Sequence, residues 1–102
     1  TSDWIKSLEE RRDMMVALLE DIPGVTVIPP TGAFYLFADV TAFLGDRFAD
    51  TLQLADKLLL DGGVAAVPGE AFGAAGYLRM SFAVTPQTIQ EGVRRMRSFL
   101  LD

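Results

Sequence analysis

A chain of 102 residues, half of them hydrophobic and 23% charged, has the composition of one globular domain with a single modest core. It is neither disordered nor fibrous by composition. Its formal net charge of −5 disfavours a nucleic-acid-binding surface. Cysteine and histidine are both absent. That excludes a disulfide framework, a Cys or His metal site, and Ser-His or Cys-His nucleophilic catalysis within this chain.

The first segment, Ser2 to Glu20, places Trp4, Ile5, Leu8, Met15, Leu18 and Leu19, followed by Ile22, at helical spacing. Glu9, Glu10, Arg12, Asp13 and Glu20 suit its solvated face, Ser2 is a candidate N-cap, and Pro23-Gly24 stops the helix. Asp3, Lys6 and this amphipathic pattern are unlike a signal peptide. Val25 to Ile28 reads as a short strand, Pro29-Pro30-Thr31-Gly32 as a turn, and Ala33 to Val40 as a second strand in an antiparallel hairpin with the first. The apolar run AFYLFADVTAFL is interrupted by Asp39 and too short to span a bilayer, so no membrane partner is expected.

After a loop at Thr41 to Asp46, a second helix is expected from Asp50 to Leu60 with Leu52, Ala55, Leu58 and Leu59 as its apolar stripe. Gly62 or Gly63 ends it in a left-handed cap. Val64 to Val67 reads as a third strand, Pro68 to Gly76 as a small-residue loop, and Tyr77 to Ala83 as a fourth strand. Thr85 and Pro86 open the last helix as N-cap and first helical residue, with Ile89, Val93, Met96 and Leu100 buried and Glu91 one turn from Arg95. The expected fold is α+β, a small mainly antiparallel sheet covered by helices on one face, in the order αββαββα.

One residue asks for a partner. Arg79 is the only charged residue between Glu70 and Glu91. Strand alternation sets Leu78, Met80 and Phe82 on one face and Tyr77, Arg79 and Ser81 on the other. Arg79 is then either a surface residue on the open face of a sheet or an anion receptor whose planar fork matches a carboxylate. The loop PGEAFGAAG has glycines but not phosphate-loop spacing, and reads as a turn. The aromatics of GAFYLF read as core, with the option that one edge borders a ligand pocket. The carboxylate pairs Glu9-Glu10 and Asp46-Asp50 read as solvated charge.

Taken in order, EERRDMMVALLEDIPGV, GAFYLF, GVAAVPGEAFG, YLRMSFA and IQEGVRRM resemble the C-terminal end of the fold-type I aminotransferases that use pyridoxal phosphate, closest to the aspartate aminotransferase-like branch of class I and II. The resemblance covers nearly the whole chain. It implies that residues 1–102 are the C-terminal small domain of a longer, cytoplasmic, homodimeric enzyme that moves an amino group between an amino acid and a 2-oxo acid. The start at Thr1 rather than Met agrees with a fragment. It further implies that Arg79 binds the α-carboxylate of the substrate, that PGEAFG borders the active-site entrance, and that Phe34 lies near bound substrate. The family's Schiff-base lysine belongs to a large N-terminal domain upstream. This chain has only Lys6 and Lys57, both in expected helices. The segment alone is thus expected to be inactive and to hold no pyridoxal phosphate. Apart from the resemblance, two other readings stay open: a self-standing module that binds a small carboxylate, and a structural or dimerisation domain.

Overall fold

The computed structural model describes residues 2–28 and 34–102. The turn expected at Pro29 to Gly32, the strand start at Ala33 and the capping role of the Ser2 side chain lie outside what it describes. Helix α1 spans Ser2–Glu20, strand β1 Thr26–Ile28, β2 Tyr35–Asp39, helix α2 Thr51–Gly62, β3 Val67–Pro68, β4 Tyr77–Ser81 and helix α3 Pro86–Leu101. Short 3-10 turns at Thr41–Phe43 and Gly69–Phe72 interrupt what the sequence presents as plain loops. The four strands form one antiparallel sheet in the order β1-β2-β4-β3, which is the expected α+β architecture.

One face of the sheet is closed. Val27, Leu36, Ala38, Leu78 and Met80 point into a core shared with Leu8, Met15 and Leu19 of α1, Leu54, Ala55 and Leu58 of α2, and the α3 stripe Ile89, Val93, Met96 and Leu100. All three helices therefore lie on that side. Burial of this set supplies most of the driving force for folding. The other face carries Tyr35, Phe37, Asp39, Tyr77, Arg79 and Ser81, none of them fully buried.

Helix ends are specified locally. The Asp50 side chain accepts from the Gln53 N–H at 2.9 Å and caps α2; Thr85 accepts from the Thr88 N–H at 3.2 Å and caps α3, with Pro86 in the first turn. Gly63 closes α2 in the left-handed conformation at φ 70°. At the far end of α3, Arg47 donates to the carbonyls of Leu100 and Phe99 at 2.8 and 2.9 Å, satisfying acceptors the helix leaves open. Glu91 pairs with Arg95 as expected and also with Arg94, at 2.7 and 2.6 Å. These two guanidinium groups, Arg94 first, lower the Glu91 carboxyl from its usual value to about 2.

Several expectations are corrected. The buried stripe of α2 is Thr51, Leu54, Ala55 and Leu58, while Leu52 and Leu59 are each 52% exposed. The sets 51-54-55-58 and 52-55-59 both have helical spacing, and a leucine-rich helix does not announce which is inside. Trp4 and Ile5, counted with the apolar face of α1, are both 56% exposed. The third strand is not Val64 to Val67. The N–H groups of Gly63 and Val64 both turn back to the Leu58 carbonyl, so Val64 completes the helix cap, and pairing begins only at Val67. Strand β4 stops at Ser81 rather than Ala83, because the Ser81 hydroxyl takes the Ala83 N–H at 3.1 Å and turns the chain.

Candidate functional site

Arg79 stands on β4, an inner strand of the sheet, opposite Phe37 of β2 on one side and Val67 of β3 on the other. Period-two alternation sends its neighbours Leu78 and Met80 into the core and leaves Arg79 on the uncovered face. There its guanidinium carbon lies 4.4 Å from the centre of the Tyr35 ring and 5.1 Å from that of Phe72. Both distances are within cation–π range. Phe72 also meets Phe37 edge-on, with centroids 5.5 Å apart and planes at 76°. Two aromatic rings thus wall the cation, and a third, Phe37, packs against one of them.

The electrostatics of that arrangement are unbalanced. Among the described residues, no carboxylate forms an ion pair with Arg79, and its Nε is buried with no hydrogen-bond partner. Aromatic faces offset part of the desolvation of a guanidinium but accept none of its hydrogen bonds in the strong, in-plane sense. Leaving such a donor unsatisfied costs about 1–3 kcal/mol, more for a charged group. The guanidinium is thus part-exposed, with a desolvated and unpartnered Nε, an arrangement whose planar fork matches a two-oxygen anion.

The Phe72 wall is not part of the sheet. It comes from the turn Gly69–Phe72, and that turn is held by contacts the sequence does not disclose. Gly69 is buried, and a Cβ there would run into the backbone oxygens of Ala74 and Tyr77, so only glycine lets the turn close. The Ala74 N–H closes it on the Gly69 carbonyl at 2.7 Å. Thr51, fully buried in the first turn of α2, accepts from the Gly76 N–H at 3.0 Å and donates to the Glu70 carboxylate, 2.6 Å from each oxygen. The Thr51 hydroxyl holds the Glu70 carboxyl below its ordinary value.

Of the residues singled out from the sequence, Arg79 is where alternation places it. Phe34 precedes β2, is 38% exposed, and has its carbonyl on the Phe82 N–H at 2.9 Å. The ring from that segment that meets Arg79 is Tyr35. PGEAFG contributes Phe72 to the same site. Lys6 and Lys57 are exposed on α1 and α2, helices that cover the other face of the sheet. Thr51 escaped the sequence reading, and Phe72 entered it only as part of PGEAFG. Thr51 did leave a trace, since it stands at i−3, i−4 and i−7 to Leu54, Ala55 and Leu58. Among the described residues, no group of three or more acidic side chains could hold a metal, and no helix is long and apolar enough to cross a membrane.

Comparison with known proteins gives consistent matches. The profile for "Aminotransferase class I and II" matches residues 2–96. A probable aspartate/prephenate aminotransferase of Aquifex aeolicus is 43% identical over 94 residues, covering 92% of this chain and 24% of that protein. Among solved structures, an alanine aminotransferase from Pyrococcus furiosus superposes with a TM-score of 0.88 at 30% identity, over 97% of this chain and 25% of that one. An aspartate aminotransferase from Thermus thermophilus with maleate superposes with a TM-score of 0.80 at 30% identity, over 93% of this chain and 23% of that one. The chain therefore spans about a quarter of the length of the proteins it matches.

Proposed function

Because the chain belongs to the aminotransferase class I and II family, we propose that it is the C-terminal small domain of a pyridoxal-phosphate-dependent transaminase and that Arg79 receives the α-carboxylate of its substrate. The observation that carries this reading is the buried, unpartnered Nε of Arg79 between the Tyr35 and Phe72 rings. A solvated surface arginine would have water on that atom. A receptor for an incoming carboxylate is kept dry and unsatisfied until the ligand arrives.

On this reading the pyridoxal phosphate site lies outside this segment. Both lysines are exposed on helices of the opposite layer, away from the face that carries Arg79. We infer that the Schiff-base lysine and the phosphate contacts belong to a larger domain of the same protein, so that the segment alone is expected to be inactive and to hold no cofactor. When bound, that group supplies the electron sink for chemistry at the substrate's Cα.

What this chain contributes is orientation. A carboxylate held by two parallel N–H groups cannot rotate freely, so the bonds at the neighbouring Cα take a fixed direction. The aromatic walls keep water from competing for the same donors. Arg79 moves no proton, because a guanidinium does not deprotonate in a protein. On this reading the full-length homodimer works on amino acids and 2-oxo acids, the substrate class that the names of its relatives indicate.

The test is kinetic. In the full-length protein, Arg79→Ala is expected to remove most of kcat/KM for an α-amino acid, and Arg79→Lys to recover little, because a point cation cannot fork. Near wild-type kinetics in either variant would sink the assignment.

A further inference from the structure

We propose that Thr51 is a positioning residue for the Arg79 site: its hydroxyl grips the Gly69–Gly76 loop at both ends and thereby holds the Phe72 ring over the guanidinium. This rests on reading Arg79 as the carboxylate receptor.

Of the four side chains that make the site, Tyr35, Phe37 and Arg79 are fixed by the paired strands β2 and β4. Phe72 is not. It sits in a single 3-10 turn that follows β3, a strand of two residues. That turn is joined to the rest of the domain by the short β3–β4 pairing before it, by the Val40 N–H on the Gly76 carbonyl at 2.9 Å, and by one side chain that reaches both of its ends. Thr51 belongs to the first turn of a capped helix, is fully buried, and faces both ends of the loop. At the near end it donates to Glu70, two residues before Phe72. At the far end it accepts from the N–H of Gly76, three residues before Arg79.

A hydroxyl can do both at once because it is one donor and two acceptors in the same atom. Valine would fill the same volume and do neither. The packing of α2 alone therefore does not account for threonine at this position. The glycines of the loop it clamps leave the backbone free to move once the clamp is gone. Gly73 and Gly76 are held at φ 74° and 92°, and Gly69 has no room for a Cβ. If the clamp is released, the Phe72 ring loses its fixed place beside Phe37 and Arg79, and water reaches the Nε that is now dry. A wet guanidinium binds a carboxylate less tightly, because the ligand must displace that water.

The experiment uses the full-length protein and two acids that cannot be transaminated, maleate and 3-phenylpropionate, titrated by calorimetry alongside steady-state kinetics. Thr51→Val is expected to weaken binding of whichever acid the wild type takes by about tenfold, with KM rising by a similar factor and kcat nearly unchanged. Thr51→Ser, which keeps the hydroxyl, is expected to restore wild-type binding. Glu70→Ala breaks the clamp from its half-exposed side and leaves the buried Thr51–Gly76 bond in place, so it tests the idea even if Thr51→Val does not fold. It should weaken binding in the same direction. Phe72→Ala combined with Glu70→Ala should be no worse than Phe72→Ala alone, since the clamp acts through that ring. Wild-type affinity in Glu70→Ala, while Arg79→Ala loses binding, would overturn the role of the clamp and leave Arg79 as the receptor. Unchanged binding in Arg79→Ala, or no saturable binding of either acid by the wild type, would overturn the receptor reading and this inference with it.

Discussion

Leu78 and Arg79 are adjacent on one strand, yet they belong to opposite sides of the molecule in every physical sense. Leu78 has no exposed surface and packs among three helices; Arg79 faces outward with a buried nitrogen that nothing satisfies. The first residue lowers the free energy of the folded state. The second leaves a buried donor unsatisfied, a cost that the proposed carboxylate receptor would account for. The same contrast holds between Leu36 and Phe37 on β2. In this sheet, stability and recognition are divided by the pleat.

The division can be broken by measurement, beginning with its two poles. Arg79→Ala in the full-length protein is expected to lower kcat/KM by about a hundredfold or more, since removing one member of a desolvated charge pair costs about 2–5 kcal/mol. Its thermal midpoint should stay the same or rise, and a clear fall would mean that Arg79 is structural after all. Leu78→Ala is the mirror image. It should cost about 2–5 kcal/mol of stability by cavity formation, seen as a lower denaturation midpoint, while KM of the surviving folded protein stays near wild type. Intermediate between the poles is Gly69→Ala, which forces a methyl group against backbone oxygen. Overpacking of this kind costs about 1–3 kcal/mol, and because the displaced turn carries Phe72, both the midpoint and KM should shift.

The smallest effect lies away from both poles, on the solvated side of α3. Glu91 titrates near 2 in the folded state rather than at its usual 4.5, because it is paired with Arg94 and Arg95. A depressed carboxylate stabilises the fold above its unfolded pKa and loses that contribution as pH falls through the folded value. The difference in thermal midpoint between wild type and Glu91→Gln should thus be present at neutral pH, shrink below 4.5 and vanish near 2. Being fully solvated, the pair should contribute little. A difference that persists at the acid end would assign the effect to something other than charge.

These residues also show what a sequence can and cannot disclose. Alternation in YLRMSFA separates Leu78 from Arg79 because a strand's side-chain period is fixed by its backbone. Thr85-Pro86 marks the start of α3 because capping is a matter of neighbouring residues. The stripe of α2 is illegible, since its leucines fit two overlapping helical faces and only tertiary packing chooses. Strand β3 is misplaced because the Val64 N–H is already committed to the preceding helix. Of the candidate site, alternation shows Arg79, while PGEAFG and GAFYLF are reached only as segments and not by the rings that matter. Thr51 becomes informative only beside Glu70, 19 residues away, and Phe72 only beside Phe37. Loop geometry set by such long-range partners leaves no periodic signature.

The edges of the sheet carry a consequence of their own. Strand β3 is two residues long and one of them is Pro68, which has no N–H to offer; β1 at the other edge has three residues. Among the described residues, neither rim offers the long, regular ladder that a further strand would need for docking. A larger assembly that includes this domain is then expected to meet it side chain to side chain, across a face. The open face is the one where Arg79 lies against aromatic rings, so on the receptor reading whatever covers it also decides how much water a bound carboxylate keeps.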